Sequence, residues 1–384
     1  MRHHNSVFHD LLKRVPWSAF DRLVEEHGAD KHVRRLSTRT QLIALLYGQL
    51  AGAVSLREIA GGLESHAARL YHLGARPASR STLADANAKR SSAVFAGLFA
   101  ELVARAGRGL RRAAGEATYL IDATGVRLSG AGSDWARFSH QACGAKVHIV
   151  YDALAERPIY AAVTPANVND ITAAKVMPIE AGATYVFDLG YYDFGWWARM
   201  DKAGCRIVTR FKSHTPLAVT REQPLNSNGT ILSDRIGLLP ARQAKNRKNP
   251  FGDPVREISV RTQTGKVLRL LTNDLDAPAD EIADLYKRRW AIELFFRWVK
   301  QTLKIRHFLG NSENAVRIQI AAALIAYLLL RMAQADQTNV QSPLAFARLV
   351  RANLMHRRRT DSLTKPPPSP SNDTGQMTLS GLGF

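Results

Sequence analysis

ATYLID (117–122), KVHIVYD (146–152), RPIYAAVT (157–164), TYVFD (184–188) and CRIVTRF (205–211) are short β-rich runs bounded by turn residues. The first three follow one another directly. The last two alternate with DITAAKVMPIEAG (170–182) and YYDFGWWARMDKAG (191–204), which read as helices. The order β-β-β-α-β-α-β predicts a mixed α/β sheet with helices on both faces.

Upstream, LLKRVPWSAFDRLVEEH (11–27), STRTQLIALLYGQLAGA (37–53) and SAVFAGLFAELVARA (92–106) carry apolar residues at spacings of three and four, so an all-α N-terminal block is expected over 1–108. Ser55 with Glu58 forms a capping box. A helix starting near Ser79–Ser81 carries Arg80, Asn87, Lys89 and Arg90, residue types suited to phosphate or groove contact. A helical bundle with a wet basic face reads equally well there. GRGLRRAAGE (107–116) marks the boundary to the α/β core at 115–211.

Downstream, 212–279 mixes basic, turn-rich stretches with REISVRTQ (256–263) and KVLRLLTN (266–273), a β-rich insertion. The core resumes over 280–355. KPPPSPSNDTG belongs to a tail, 360–384, expected to be disordered.

The chain has 384 residues and a net charge of +20, which points to a polyanion, most simply nucleic acid. Cys143 and Cys205 are too few for a zinc cluster or a disulfide framework, so a reducing compartment is expected. No apolar run of signal-peptide length stands near the start. IQIAAALIAYLLL (318–330) is too short to span a membrane and reads as a buried helix.

Two aspartates end strands in this reading. Asp122 closes ATYLID and Asp188 closes TYVFD, and in open α/β sheets chemistry collects at the carboxyl ends of strands. Neither has a basic sequence neighbour, so a hard divalent cation is the natural partner. ADLYKRRWAIELFFRWVKQTLKI (283–305) supplies a third carboxylate. On one ideal helix Tyr286, Arg289, Glu293 and Lys300 fall at about 0°, −60°, −20° and −40°, a narrow polar stripe. Trp290, Leu294, Phe295, Trp298, Val299 and Leu303 would form an apolar setting around it. Other carboxylates have plainer readings: Asp152 in a hairpin turn, Asp170 and Asp193 as helix caps. His148 and His307 read as core or surface residues.

IDATGVRLS (121–129), FDLGYYDFG (187–195) and the spacing Y-x2-R-x3-E-x6-K resemble the catalytic blocks of DDE transposases of the insertion sequence 4 family. The resemblance implies a ribonuclease H-like core interrupted by a β-rich insertion. It implies that Asp122, Asp188 and Glu293 hold two Mg²⁺ ions, with Mn²⁺ able to substitute. Tyr286, Arg289 and Lys300 would contact DNA phosphates near the cleaved end, with Arg210 and Lys212 a further basic pair. The implied partner is double-stranded DNA, transposon ends and target, bound by a homodimer in a bacterial cytoplasm, at the nucleoid, with no membrane involved. Some relatives pass through a hairpin intermediate helped by an aromatic residue of the insertion, where this chain offers only Phe251. Two other readings keep the same residues: a metal-dependent endonuclease without strand transfer, and a DNA-binding regulator without catalysis.

Overall fold

The computed structural model describes residues 6–110, 117–225, 229–242, 248–303, 308–337, 340, 342–356, 360 and 363. His307, most of the 107–116 boundary, the 243–247 basic run and nearly all of the tail lie outside them.

The N-terminal block is helical: α1 Val7–Leu12, α2 Trp17–Glu26, α3 Thr38–Ala51, α4 Leu56–Ser65, α5 Ala67–Leu70, α6 Arg80–Lys89 and α7 Ser92–Leu110. The capping box forms at α4. Ser55 Oγ accepts from Glu58 N at 3.2 Å, and Glu58 reaches back to Val54 N at 3.0 Å.

Next come β1 Thr118–Leu128, β2 Arg137–Ser139, β3 Ala142–Asp152, β4 Arg157–Pro165, α8 Asp170–Ala174, β5 Thr184–Phe187, α9 Phe194–Lys202 and β6 Arg206–Arg210. The insertion supplies β7 Ala218–Glu222, β8 Ile231–Leu238, β9 Val255–Arg261 and β10 Val267–Thr272. The chain closes with α10 Ala279–Arg288, α11 Trp290–Thr302, α12 Glu313–Ala335 and α13 Pro343–Asn353.

The sheet runs β4-β3-β1-β5-β6-β10-β9-β8-β7, with β2 pairing the start of β3. Its first half is the antiparallel meander β1-β3-β4 followed by β5 and β6 parallel to β1, the ribonuclease H-like order. The insertion continues this sheet, because β10 pairs antiparallel with β6.

Alternation along the strands sorts the core into two layers. Tyr119, Ile121, Phe187 and Ile207 face α8 and α9 with Trp196 and Trp197. Leu120, Val186 and Val208 face the other side, towards α11 and α12. That second layer is continuous with the N-terminal helices, because α12 packs on α7, α3 and α6 as well as on β4. At 23 residues α12 is long and apolar enough to cross a membrane, yet 83% of its most apolar window is buried inside the fold.

Two expectations need correction. Asp122 does not end its strand, since β1 runs six residues further, paired with β3 to Leu128. The helix expected over 170–182 stops at Ala174, four residues before Pro178, whose ring cannot continue it.

Candidate active site

Parallel register places the first two carboxylates. Leu120 pairs with Val186 and Phe187 with Thr209. Continued by two residues and by one, these registers set Asp122, Asp188 and Arg210 abreast on three neighbouring strands. All three share the face of Leu120, Val186 and Val208, the side on which α11 packs against β1. Asp122 accepts a hydrogen bond from Ala123 N, and Asp188 accepts one from Gly190 N, each at 2.8 Å.

Glu293 arrives from α11 by way of Arg289. The guanidinium of Arg289 lies 2.5 Å from Glu293 Oε1 and 3.4 Å from Asp122 Oδ2. It thus joins the helix carboxylate to the strand carboxylate. Burial pushes the Asp122 carboxyl up to about 6, with Asp188 and Glu293 adding to the rise and Arg289 opposing it. Among the described residues no three His, Cys, Asp or Glu side chains converge closely enough to chelate an ion, and Arg289 stands between two of them.

The four-residue signature does not lie on one helix. α10 ends at Arg288, α11 begins at Trp290, and Arg289 is the joint. The turn tightens there: Arg289 N donates to Tyr286 O, and Ile292 N to Arg289 O, both one residue shorter than an α-helical bond. Tyr286 stays beside Arg289, its ring centre 5.9 Å from the guanidinium, and burial raises its hydroxyl above the ordinary value. Lys300 sits half-buried on α11, about 10 Å along the axis from Glu293 at 1.5 Å per residue. The apolar setting is one-sided. Phe295, Val299 and Leu303 are buried, whereas Trp290 and Leu294 are 56% and 54% exposed beside Glu293.

The other basic residues divide. Arg210 ends β6 with its Nε buried and without a hydrogen-bond partner. Lys212 lies just beyond, its ammonium 4.3 Å from the centre of the Tyr192 ring. Arg80 and Lys89 are exposed on α6. Arg90 and Asn87 depart from expectation: both are buried. Arg90 donates to Gln41 at 2.9 Å and to the Leu36 carbonyl, and Asn87 accepts from Gln41 at 2.7 Å. These side chains fasten α6 to α3 and have no surface to offer a phosphate. Phe251 is buried in the α9 layer, so it presents no stacking face.

Sequence reading missed a second ring of residues. Asp170 does not cap its helix. Asn169 holds the cap position without a side-chain bond, and Asp170 pairs instead with Lys146 at 3.0 Å. A Cβ on Gly190 would lie 3.0 Å from Asp188 and 3.2 Å from Asp170, so these two carboxylates flank that glycine. Tyr191 is fully buried with its hydroxyl unpartnered, and burial with Asp122, Asp170 and Asp188 nearby holds its pKa far above normal. His148 is fully buried, bonded to Thr164 at 2.8 Å, and burial lowers its pKa below the ordinary value. Asp152 turns its hairpin and Asp193 caps α9, as expected.

Residues 113–329 match the model of the transposase DDE domain. The chain belongs to that family. This DNA transposase also matches a domain of unknown function, DUF4372, over residues 3–76. It is 41% identical over 307 residues to a Sinorhizobium fredii protein named as a transposase, y4zB, covering 79% of this chain and 85% of that one. A Geobacillus stearothermophilus protein named as the transposase for insertion sequence element IS5377 is 31% identical over 238 residues, 60% of this chain and 61% of that one. The Escherichia coli (strain K12) transposase InsG for insertion sequence element IS4 is 36% identical over 103 residues, 25% and 23% of the two chains.

Proposed function

We propose that this transposase cuts DNA at the ends of its element and joins the freed 3′ ends to target DNA, with Asp122, Asp188 and Glu293 as the catalytic carboxylates. The observation that carries this reading is their juxtaposition. Asp122 within β1 and Asp188 just past β5 share one register row, Asp122 meets a helix glutamate across Arg289, and burial, with Asp188 and Glu293 adding to it, raises the Asp122 pKa.

The donor set fits a divalent metal. Carboxylate oxygens are hard ligands, and crowded carboxylates gain most from a cation. We assign the holding of two Mg²⁺ ions, or Mn²⁺ in their place, to Asp122, Asp188 and Glu293. When bound, such ions lower the barrier to nucleophile formation and to departure of the 3′ oxygen.

The chain's own groups position the substrate. Arg289 offers a forked guanidinium suited to a phosphate. Arg210 brings an unpartnered buried N–H to the same row, and Lys212, Lys300 and Tyr286 extend the polar surface around it. In cleavage, a water oxygen bonds to phosphorus as the 3′ oxygen leaves with the bonding electrons and takes up a proton. In joining, that 3′ hydroxyl attacks a target phosphate, and the target's own 3′ oxygen leaves. Each step exchanges one P–O bond for another. Two copies of the chain, one for each end, are the smallest assembly that cuts both ends together.

The test is a Mg²⁺-dependent assay on labelled duplex carrying the element's ends. Asp122→Asn, Asp188→Asn and Glu293→Gln each bind the duplex and fail to cut it. Normal cleavage by one of them removes that residue from the site. Cut ends that never join to a second DNA would make the protein an endonuclease.

A further inference from the structure

Between α2 and α3 the chain runs through residues 27–37, where Lys31, Arg34 and Arg35 are exposed. This segment stands over α6, and the two enclose an open recess of about 800 Å³. Lys31, Arg34 and Arg35 line one side and Lys89 the other, and Asp85 is the one carboxylate among the lining residues.

The arch is built rather than loose. Asp30 accepts from Thr38 N at 2.7 Å and from Thr38 Oγ1 at 2.6 Å, which folds the segment onto the start of α3. Arg90 passes beneath and donates to the Leu36 carbonyl. His32 holds a φ of 65°, a left-handed conformation that costs a non-glycine residue about 1 kcal/mol or more. Such a conformation persists where its surroundings impose it. The three cations are therefore held out from a fixed frame, and among the described residues they pair with no carboxylate.

A small-molecule pocket encloses its ligand. This recess is open, and its charges run from the arch across to α6, whose far end exposes Arg80. Exposed cations spread over two elements suit a partner with repeated charges, such as a phosphodiester backbone, better than they suit one small anion. We propose that this recess grips the sugar–phosphate backbone of duplex DNA, away from the catalytic carboxylates. Three of its four exposed cations lie within the domain of unknown function matched at residues 3–76, so backbone gripping becomes that domain's role. The proposal rests on the reading of the chain as a DNA transposase.

The experiment titrates full-length protein into labelled duplex carrying the element's end, at salt concentrations from about 50 to 200 mM. The variant is Lys31→Ala/Arg34→Ala/Arg35→Ala. The control is Lys202→Ala/Arg261→Ala/Lys266→Ala, which removes equal charge from exposed positions elsewhere. The arch variant should bind at least about tenfold more weakly, and its slope of log K against log salt should fall by about 2–3, near 0.9 for each lost phosphate contact. Its melting temperature should match wild type, and at saturating DNA its cleavage rate should stay within about twofold. The control should move neither affinity nor slope. Wild-type affinity in the arch variant, or an equal loss in the control, overturns the proposal. Wild-type protein that binds the duplex without cutting it, while the arch variant binds weakly, sinks the catalytic reading and leaves this one standing.

Discussion

Asp122 concentrates the tension of the site. Its carboxyl is held near 6 by burial, Asp188 and Glu293, against an ordinary value of 3.8. A carboxyl whose folded pKa is raised stabilises the fold fully below its unfolded pKa, and that contribution is lost as pH rises through the folded pKa. The ionised form is therefore the strained one at neutral pH. Metal-free Asp122→Asn should melt higher than wild type at pH 8, by up to about 3 kcal/mol at 1.36 kcal/mol per unit, and the gap should close by pH 4. Thermal melts at the two pH values check this. A variant less stable at pH 8 would mean that the ion pair with Arg289 outweighs the crowding. Added Mg²⁺ should raise the melting temperature of wild type and leave that of Asp122→Asn nearly unchanged. Residue type and spacing single out the three carboxylates in the sequence, but the strand end expected at Asp122 is absent because β1 runs on to Leu128. Tyr191 and the Lys146–Asp170 pair were not legible there, since their nearness depends on how β3, α8 and the turn after β5 meet. Arg90 and Asn87 were misread because the Ala-rich α6 shows no apolar stripe to say which side is buried.

The helix break at Arg289 was invisible in the sequence. Residues 279–302 contain no proline or glycine and read as one periodic helix. The joint is set instead by what Arg289 touches, two carboxylates on two elements. Arg289→Ala should therefore leave the protein folded and slow single-turnover cleavage by about a hundredfold or more, the scale of losing one preorganised charge-stabilising donor. Arg289→Lys should recover little of it, because a point ammonium cannot span both partners as a planar fork does. Full rescue by lysine would reduce the role to bulk charge. The β-rich insertion was legible from its alternating strands. That it extends the central sheet was not, because the β10–β6 pairing is a long-range choice. Within the insertion a buried ion pair ties neighbouring strands: Arg256 of β9 donates to Asp234 of β8 at 2.8 and 2.6 Å, with both side chains almost fully enclosed. Asp234→Ala strands a buried guanidinium and should cost about 3–5 kcal/mol in urea unfolding. Asp234→Leu combined with Arg256→Met should restore most of that, since replacing both charges with apolar groups removes the unpaired one.

Across the whole molecule, composition and strand order were enough to separate a helical block from an α/β core, but they could not show how the two meet. Sequence marks a boundary where composition changes. It does not mark which apolar faces share a core, and α12, apolar on every side, is the element that could belong to either half. It belongs to both: Ile318, Leu324 and Leu328 join one layer with Leu42 and Leu46 of α3, Leu98 of α7, and Leu120 and Val186 of the sheet. A helix buried all round must be covered on all sides, and here the N-terminal helices cover one flank while β4 and, through Phe295 and Trp298 against Tyr327, α11 cover another. The helical block is then a lid on the catalytic core as much as a unit in itself. Cut away at residue 108, it would expose the faces of α3, α6 and α7 that α12 now covers, at roughly 25 cal/mol for each Å² of apolar surface returned to water. A fragment of residues 1–108 should therefore melt without a cooperative transition and self-associate, whereas the full chain unfolds as one unit. Calorimetry and gel filtration of the two decide it. A sharp, concentration-independent melt of the fragment would show that its own core suffices, and that α12 fits an already finished surface.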